Sequence, residues 1–386
     1  MIHQIILSAF IGSDNLGDRA IFEAASQSLL KLKHSKISAF TINKKNHDIE
    51  QNDVNLIHTT NIFVIIYQII QCDLLIIGGG GLIQDYTTAY NLLRHTYKAF
   101  IALILRKKYM FYSVGVDKLN FKINRIITKV LFNHASKITV RDQQSKIRLK
   151  NLGVTNKITV SVDPAINLAI SPVRKRVIPR IQGPYIAVCL RHWFNVNPWI
   201  PVTIINKFHL YSPENRKLQQ HFITVLASFL DTLVGKFNVN IVFVPFFYGR
   251  DENIHKKVLQ TMNRSNRCLN INQKLNTQQT LSVIQQAEFV IGMRLHSLIF
   301  ASIVNTPFIG LIYSEKVSNY LNKLKLSNLG ISVGNIELNK LEKLFSKAYE
   351  DRQKIKIKLE KQVEKLKQQE KLNIKTVEKI LFAQKY

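Results

Sequence analysis

The sequence predicts an α/β protein of two domains, each a parallel sheet covered by helices, facing each other across a cleft and followed by a helical C-terminal segment. Three observations predict it. Short apolar runs alternate with longer amphipathic stretches. Several runs, such as Leu74-Leu75-Ile76-Ile77, are apolar at every position, as strands covered on both faces are. The alternation then stops at a proline-rich break and begins again.

The first series places strands at 3–10, 37–42, 73–77, 109–114, 137–141 and 157–161, with helical patterns at about 18–33, 89–106, 121–134 and 142–151. This is a Rossmann-like domain over residues 1–170. The break, 171–184, carries Pro172, Pro179 and Pro184 without apolar periodicity and reads as a linker. A second Rossmann-like domain, 185–335, follows with strands at 185–190, 240–245, 267–271, 288–292 and 307–312. Its helices are expected at about 215–235, 251–262, 278–286, 296–304 and 315–323. Residues 336–386 are rich in Lys, Glu and Gln, with Leu359, Val363 and Leu366 at helical spacing. Interleaved Glu360, Glu364, Glu370 and Glu378 favour a helix packed along one edge over a helix lying on a membrane.

Composition narrows the function. The 386 residues carry 54 Lys+Arg against 25 Asp+Glu, a formal charge of +29, and 46% are hydrophobic, enough to build real cores. The excess base fits a nucleic-acid binder, a protein at an anionic membrane or an enzyme for a polyanionic substrate, and it also fits a plain compositional bias. Residues 336–386 hold 14 basic and 8 acidic residues, so +23 belongs to the first 335 and the charge is no detachable arm. No module with aromatics interleaved among bases appears, so nucleic acid is not an expected partner. The three cysteines, Cys72, Cys189 and Cys268, are far apart and the 11 histidines lack ligand spacing, so no disulfide, metal or cofactor is expected and a cytoplasmic location is. The N-terminus lacks signal-peptide regions, and the apolar stretch from Ile62 to Ile77, interrupted by Gln68, Gln71 and Asp73, is too short to span a bilayer.

Candidate chemistry sits where strands end, the edge at which doubly wound sheets bind ligands. Gly12 to Asp18 follows the first strand and precedes a helix, so its backbone N–H groups can meet an anion, while Asn15 or Asp18 can equally serve as a cap. Gly78 to Gly81 follows strand 74–77, and four glycines point to close approach of a ligand or of facing backbone. Arg141 ends a strand, placed for carboxylate or phosphate or else paired with Asp142 or Asp163. Gly292-Met-Arg294-Leu-His296 brings a cation and an imidazole to a helix start, where the helix dipole disfavours them unless an anion binds. Tyr313, Glu315 and Lys316 follow the last apolar run, and Arg191, His192 and Asp251 hold corresponding strand-end positions. No H-E-x-x-H, G-x-S-x-G or Walker motif is present.

Taken in order, Asn15-Leu-Gly-Asp18, Gly78–Gly81, Arg141-Asp142, Gly153, Asp163-Pro164, Ile291-Gly-Met-Arg-Leu-His296 and Tyr313-Ser-Glu-Lys316 resemble the polysaccharide pyruvyl transferase family over about residues 4–325. Arg19 stands where that family often has an acidic residue, and Ser314-Glu315 where it often has an aspartate. The resemblance implies a GT-B-like fold and transfer of pyruvate from phosphoenolpyruvate onto a sugar of a cell-surface or extracellular polysaccharide, or its lipid-linked precursor, as a ketal with release of phosphate. It makes His296 the expected acid, with Arg294 and Lys316 on phosphate and Arg141 on carboxylate. Asn15, Gly17, Asp18, Gly79, Gly80, Arg191, Tyr313 and Glu315 would line the substrates. No metal or cofactor is implied, and the surplus of base suits peripheral contact with the anionic inner face of the cell membrane. Two rivals stand beside this reading: a GT-B glycosyltransferase using a nucleotide sugar, with Glu315 on a ribose, and a non-catalytic polysaccharide-assembly protein of the same fold.

Overall fold

A computed structural model describes residues 2–42, 53–86, 88–173, 177–178, 181–192 and 212–382. Parts of the expected linker, 174–176 and 179–180, therefore lie outside the described residues, as does the end of the C-terminal segment beyond 382.

The N-terminal half begins with β1 (His3–Ile11), α1 (Leu16–Leu29), β2 (Ser35–Thr41), β3 (Asn55–His58) and α2 (Ile62–Gln71). It continues with β4 (Leu74–Ile83), α3 (Asn91–Ile104), β5 (Tyr109–Val116), α4 (Lys122–His134), β6 (Lys137–Val140), α5 (Gln143–Asn151) and β7 (Ile158–Val160). The seven strands pair in parallel in the order β3-β2-β1-β4-β5-β6-β7, so the strand order reverses beside β1. Ile65, Ile69, Leu92, Ala99, Leu131 and Phe132 pack α2, α3 and α4 against one face of this sheet. The other face is covered by α1 through Phe22, Ala25 and Leu29.

The C-terminal half repeats the plan: β8 (Tyr185–Cys189), α6 (Pro213–Phe237), β9 (Asn240–Phe243), α7 (Glu252–Thr261), β10 (Cys268–Asn270), α8 (Thr277–Gln286), β11 (Phe289–Gly292), α9 (Leu295–Ile303), β12 (Phe308–Ile312), α10 (Glu315–Lys323) and β13 (Gly330–Ser332). Its six parallel strands run β10-β9-β8-β11-β12-β13. The chain then forms α11 (Leu338–Glu350) and α12 (Arg352–Leu381).

Four expectations need correction. Strand 73–77 does not stop before the glycines: β4 runs through Gly78–Gly81 to Ile83. It does so as a bulged strand, with Gly79 and Gly80 at φ 76° and 83° and a register shift against β5. The stretch 55–71, given no element, forms β3 and α2, because the mostly apolar run Ile62–Gln71, with only Gln68 and Gln71 as polar residues, hides helical period. β13, Gly330–Ser332, adds a short edge strand that three residues could not announce. The segment after 336 is two helices. Leu341 and Phe345 of α11 join the C-terminal core, with Phe345 edge-on to Phe229 and Phe289.

α12 crosses back to the first sheet. Leu359, Val363 and Leu366 are buried as their spacing requires, and Val377 and Ile380 join the core beneath β1 and β4. Glu370 is fully buried there, accepting from the Tyr112 hydroxyl at 3.1 Å, the Asn373 amide at 3.2 Å and the Asn167 amide. Burial raises its carboxyl above the usual range, and the three donors limit that rise.

Candidate active site

The two halves meet at the C-terminal ends of their strands. Asn15 forms an antiparallel bridge with Phe247; Leu16 N–H donates to the Phe246 carbonyl at 2.8 Å and Tyr248 N–H to the Asp14 carbonyl at 3.1 Å. The loop after β1 is thus stitched to the loop after β9. The Asn15 side chain caps α1 through Gly17 N–H at 3.1 Å, and its amide donates to Asp18 Oδ2 at 2.6 Å.

His296 lies in the first turn of α9, packed against Gly17. A Cβ on Gly17 would stand 2.1 Å from His296 Nδ1, so only glycine lets the imidazole lie there. On the ring's other side, Nε2 is 3.7 Å from Asp163 Oδ2, and neither atom has a hydrogen-bond partner among the described residues. Asp163 uses Oδ1 to cap the short 3-10 turn Pro164–Asn167, accepting from Ala165 N–H at 3.2 Å, which leaves Oδ2 for the cleft. Burial alone would raise the Asp163 carboxyl, but His296, Arg141 and the Ala165 amide together hold it below the usual range. Asp18 has the opposite balance: desolvation dominates and keeps its carboxyl up at about 6, despite the pull of His296, Asn15 and Lys316.

The cations are placed by different means. Arg141, only 6% exposed, lies across Gly115, where a Cβ would be 2.5 Å from its Cζ. Its Nε is 3.5 Å from Asp142 and its Nη1 3.7 Å from Asp163. Arg294 is gripped along its Nε and Nη2 edge by buried Asp251, itself held by the Phe246 and Phe247 amides at 3.1 and 2.9 Å. Arg191 donates through Nη1 to the Tyr313 hydroxyl at 2.7 Å and stacks on that ring at 4.4 Å; Lys316 Nζ is 5.3 Å from the same ring. Burial would raise the Tyr313 phenol, but Arg191, Lys316 and Arg294 overcome it and bring the group down to about 7. A cavity at this junction is lined by Arg141, Asp163, Leu295, Lys316, Asn319 and Lys323.

Most of the expected residues therefore converge: Asn15, Gly17, Asp18, Arg141, Arg191, Arg294, His296, Tyr313 and Lys316. Gly79 and Gly80 let α1 approach β4: a Cβ on Gly79 would lie 2.0 Å from Ile21 Cγ2, and one on Gly80 3.3 Å from Ile21 Cδ1 and 3.7 Å from Asp18 Oδ1. Glu315 is exposed and paired with Arg148, which also bonds the Val116 carbonyl at 2.8 Å. His192 faces Gln219 at 2.6 Å, and burial lowers its imidazole to about 4. The Asp163–His296 pairing was not visible in sequence; the Asp-Pro step marked a turn and gave no sign that its carboxylate faces a histidine 133 positions on.

Two parallel α/β domains closing on a cation-rich cleft define the GT-B architecture. Solved structures share that fold at low identity. UDP-GlcNAc 2-epimerase of Neisseria meningitidis bound to UDP-GlcNAc is 12% identical, with TM-score 0.62 over 98% of this chain and 100% of that one. Alr3699/HepE of Anabaena in complex with UDP and glucose is 13% identical, TM-score 0.62, over 99% and 100%. ADP-heptose LPS heptosyltransferase II of E. coli is 10% identical, TM-score 0.50, over 91% and 100%. The sequence settles which branch: residues 15–315 match the profile of the polysaccharide pyruvyl transferases, and the chain belongs to that family of transferases. No curated protein matches it significantly.

Proposed function

We propose that the protein transfers pyruvate from phosphoenolpyruvate to two hydroxyls of one sugar in a cell-surface or extracellular polysaccharide, or its lipid-linked precursor, forming a ketal and releasing phosphate. The observation that carries this reading is His296, wedged between Gly17 and Asp163 and surrounded by Arg141, Arg191, Arg294 and Lys316 in one cleft. Phosphoenolpyruvate puts a phosphate and a carboxylate on three carbons, so a site for it needs several cations close together. Arg141 suits the carboxylate. Lys316, Arg191 and Nη1 of Arg294, the nitrogen outside the Nε and Nη2 edge that Asp251 grips, suit the phosphate.

His296 gives a proton to the methylene carbon, turning it into the methyl group, as one sugar hydroxyl bonds to C2. Asp163 Oδ2, 3.7 Å from Nε2, faces the imidazole during that transfer. Asp18, ionised in part near its pKa of about 6, takes the proton released by that hydroxyl. The C2–O bond to phosphate then breaks and the second hydroxyl closes the ketal, its proton leaving with the phosphate. Two hydroxyl protons are lost: the one taken by Asp18 passes back to His296, replacing the proton given to carbon, and the other leaves with phosphate. The cytoplasm at the inner membrane face is the proposed place of action, where lipid-linked saccharides are within reach.

The nucleotide-sugar reading draws on the UDP-containing neighbours named above. It would need an acidic residue on the ribose, and the candidate for that, Glu315, is engaged with Arg148. The test is incubation with phosphoenolpyruvate and a panel of lipid-linked and nitrophenyl sugars, measuring phosphate and the pyruvyl ketal by mass. Turnover of a nucleotide sugar, with no acceptor-dependent phosphate release across the panel, would refute the proposal.

A further inference from the structure

The face of the N-terminal sheet turned away from α1 carries an apolar surface that none of the described residues covers. α2, α3 and α4 lie side by side there, held by inward residues such as Ile65, Ala99 and Leu131. Their outward residues are apolar too. On α2, Ile62, Phe63, Val64, Tyr67 and Ile70 are exposed, Phe63 at 77%. On α3 the exposed set is Leu93, Phe100 and Ile104, and on α4 it is Ile123, Ile126 and Val130. Five on α2 and three on each neighbour make eleven of the twenty-one large hydrophobics exposed among the described residues. That concentration matters because scattered exposed hydrophobics are ordinary and a contiguous patch is not. α2 departs furthest from a soluble surface helix, since IFVIIYQIIQ contains no charged residue at all.

The charges around this surface are of one sign. α2, α3 and α4 contain no Asp or Glu, while exposed Arg94, Lys122, Arg125 and Lys129 lie on α3 and α4 and Lys118 stands just before α4; Lys98 is buried over Phe40 and takes no part in this rim. Of the acids between 59 and 136, Asp85 is buried and bonded by Asn120, Phe121 and Asn124. Asp117 is 3.6 Å from Arg148, and Asp73 receives the Gln4 amide at 2.8 Å beside His3. An apolar face with a basic rim is the pattern of a protein seated in the headgroup layer of an anionic bilayer. A second copy of the chain would bring the same positive rim and a formal charge of +29, so charge complementarity favours lipid over self-association.

Position supports the same occupant. Each of these helices begins where its preceding strand ends, so Ile62, Tyr90 and Lys122 stand on the edge of the sheet that forms the cleft. Tyr86 and Arg94, on the path from β4 into α3, already act electrostatically on the cleft groups Arg191, Lys316 and Arg250. The apolar face and the cleft mouth thus share a rim.

We propose that the outer face of α2, α3 and α4 is a docking surface for anionic lipid bilayer, which seats the cleft mouth at the membrane. This names the surface behind the membrane location proposed above, and it does not depend on the reaction. α12 is not that surface, because its apolar stripe is buried against the two sheets.

The test is cosedimentation of the full chain with vesicles of phosphatidylcholine alone and of phosphatidylcholine with phosphatidylglycerol. Binding is expected on the anionic vesicles, weaker on neutral ones, and reduced but not abolished by salt. Phe63→Ser with Ile70→Ser and Ile126→Ser should lower partition at least tenfold at every salt concentration, since each inserted side chain contributes about tenfold. Lys118→Glu with Lys122→Glu should lower it about tenfold or more at low salt and little at high salt. Circular dichroism checks that both variants fold, and the charge pair decides the matter if the apolar triple does not. Wild-type protein left in the supernatant, or variants that bind as well as wild type, would overturn the proposal. So would a dimer seen by light scattering that the apolar substitutions split while no form binds vesicles. Phosphate release with a water-soluble acceptor separates the two proposals: its absence beside intact vesicle binding sinks the reaction and leaves the surface.

Discussion

Asp18 offers a test of whether the cleft holds an acid at a cost to the fold. Its carboxyl stands at about 6 in the folded protein against 3.8 when unperturbed, because desolvation outweighs the favourable pull of His296 and Asn15. A folded-state pKa raised in this way contributes stability that is fully present below pH 3.8 and is lost as the pH rises through 6. The difference of about 2.2 units amounts to about 3 kcal/mol at pH 7 and above, about half of that at pH 5, and almost nothing at pH 3. Asp18→Asn removes the ionisation and keeps an acceptor for the Asn15 amide, which donates at 2.6 Å. The variant should therefore be the more stable protein at neutral pH while losing pyruvyl transfer by a factor of about 100 or more. Urea denaturation of both proteins at pH 3.5, 5 and 7.5, read as the difference in midpoint, measures the effect. A difference that does not grow between pH 3.5 and 7.5, or a variant less stable at pH 7.5, would refute the account of Asp18 as a desolvated acid.

Three further outcomes follow from the geometry. Gly17→Ala should cost at least a hundredfold in turnover, because the new methyl meets His296 Nδ1 at 2.1 Å and must displace the imidazole; single-turnover phosphate release measures it. Tyr313 ionises near 7, so above that pH its phenolate competes with the donor for Arg191 and Lys316; donor affinity by calorimetry should fall as pH rises through 7, and Tyr313→Phe should flatten that dependence. Glu370→Ala should cost about 3 kcal/mol, since Tyr112, Asn167 and Asn373 lose their shared acceptor in the core; thermal melting checks it, with Glu370→Gln recovering part of the loss.

The alternating plan was legible because buried parallel strands are apolar throughout and the covering helices carry a 3.6-residue stripe, so all eleven expected strands fall on observed ones. β3 and α2 were not legible for a reason that has become informative. α2 shows no polar face because its outer side is as apolar as its inner side, and periodicity analysis detects only contrast. The glycine run hid only where the strand ends: glycine signals freedom, and here the freedom keeps β4 in the sheet, with Gly78 close against the Tyr112 backbone and Gly79 against α1. In the cleft, strand-end logic found the cations and His296. It could not pair His296 with Asp163 or occupy Glu315 with Arg148, because such partners are set by how two domains dock. Nor could it foresee that Asp251 would hold Arg294 from behind.

The return of α12 gives the molecule two covalent crossings between its sheets, one between β7 and β8 and one within α12, between Leu366 in the C-terminal core and Val377 beneath the first sheet. A body joined twice to its neighbour keeps only rotation about the line through both joints. Opening of the cleft to admit a sugar chain is therefore confined to a single swing, like a door on two pins, and the Asn15–Phe247 bridge and the Arg148–Glu315 pair are the latches it must release.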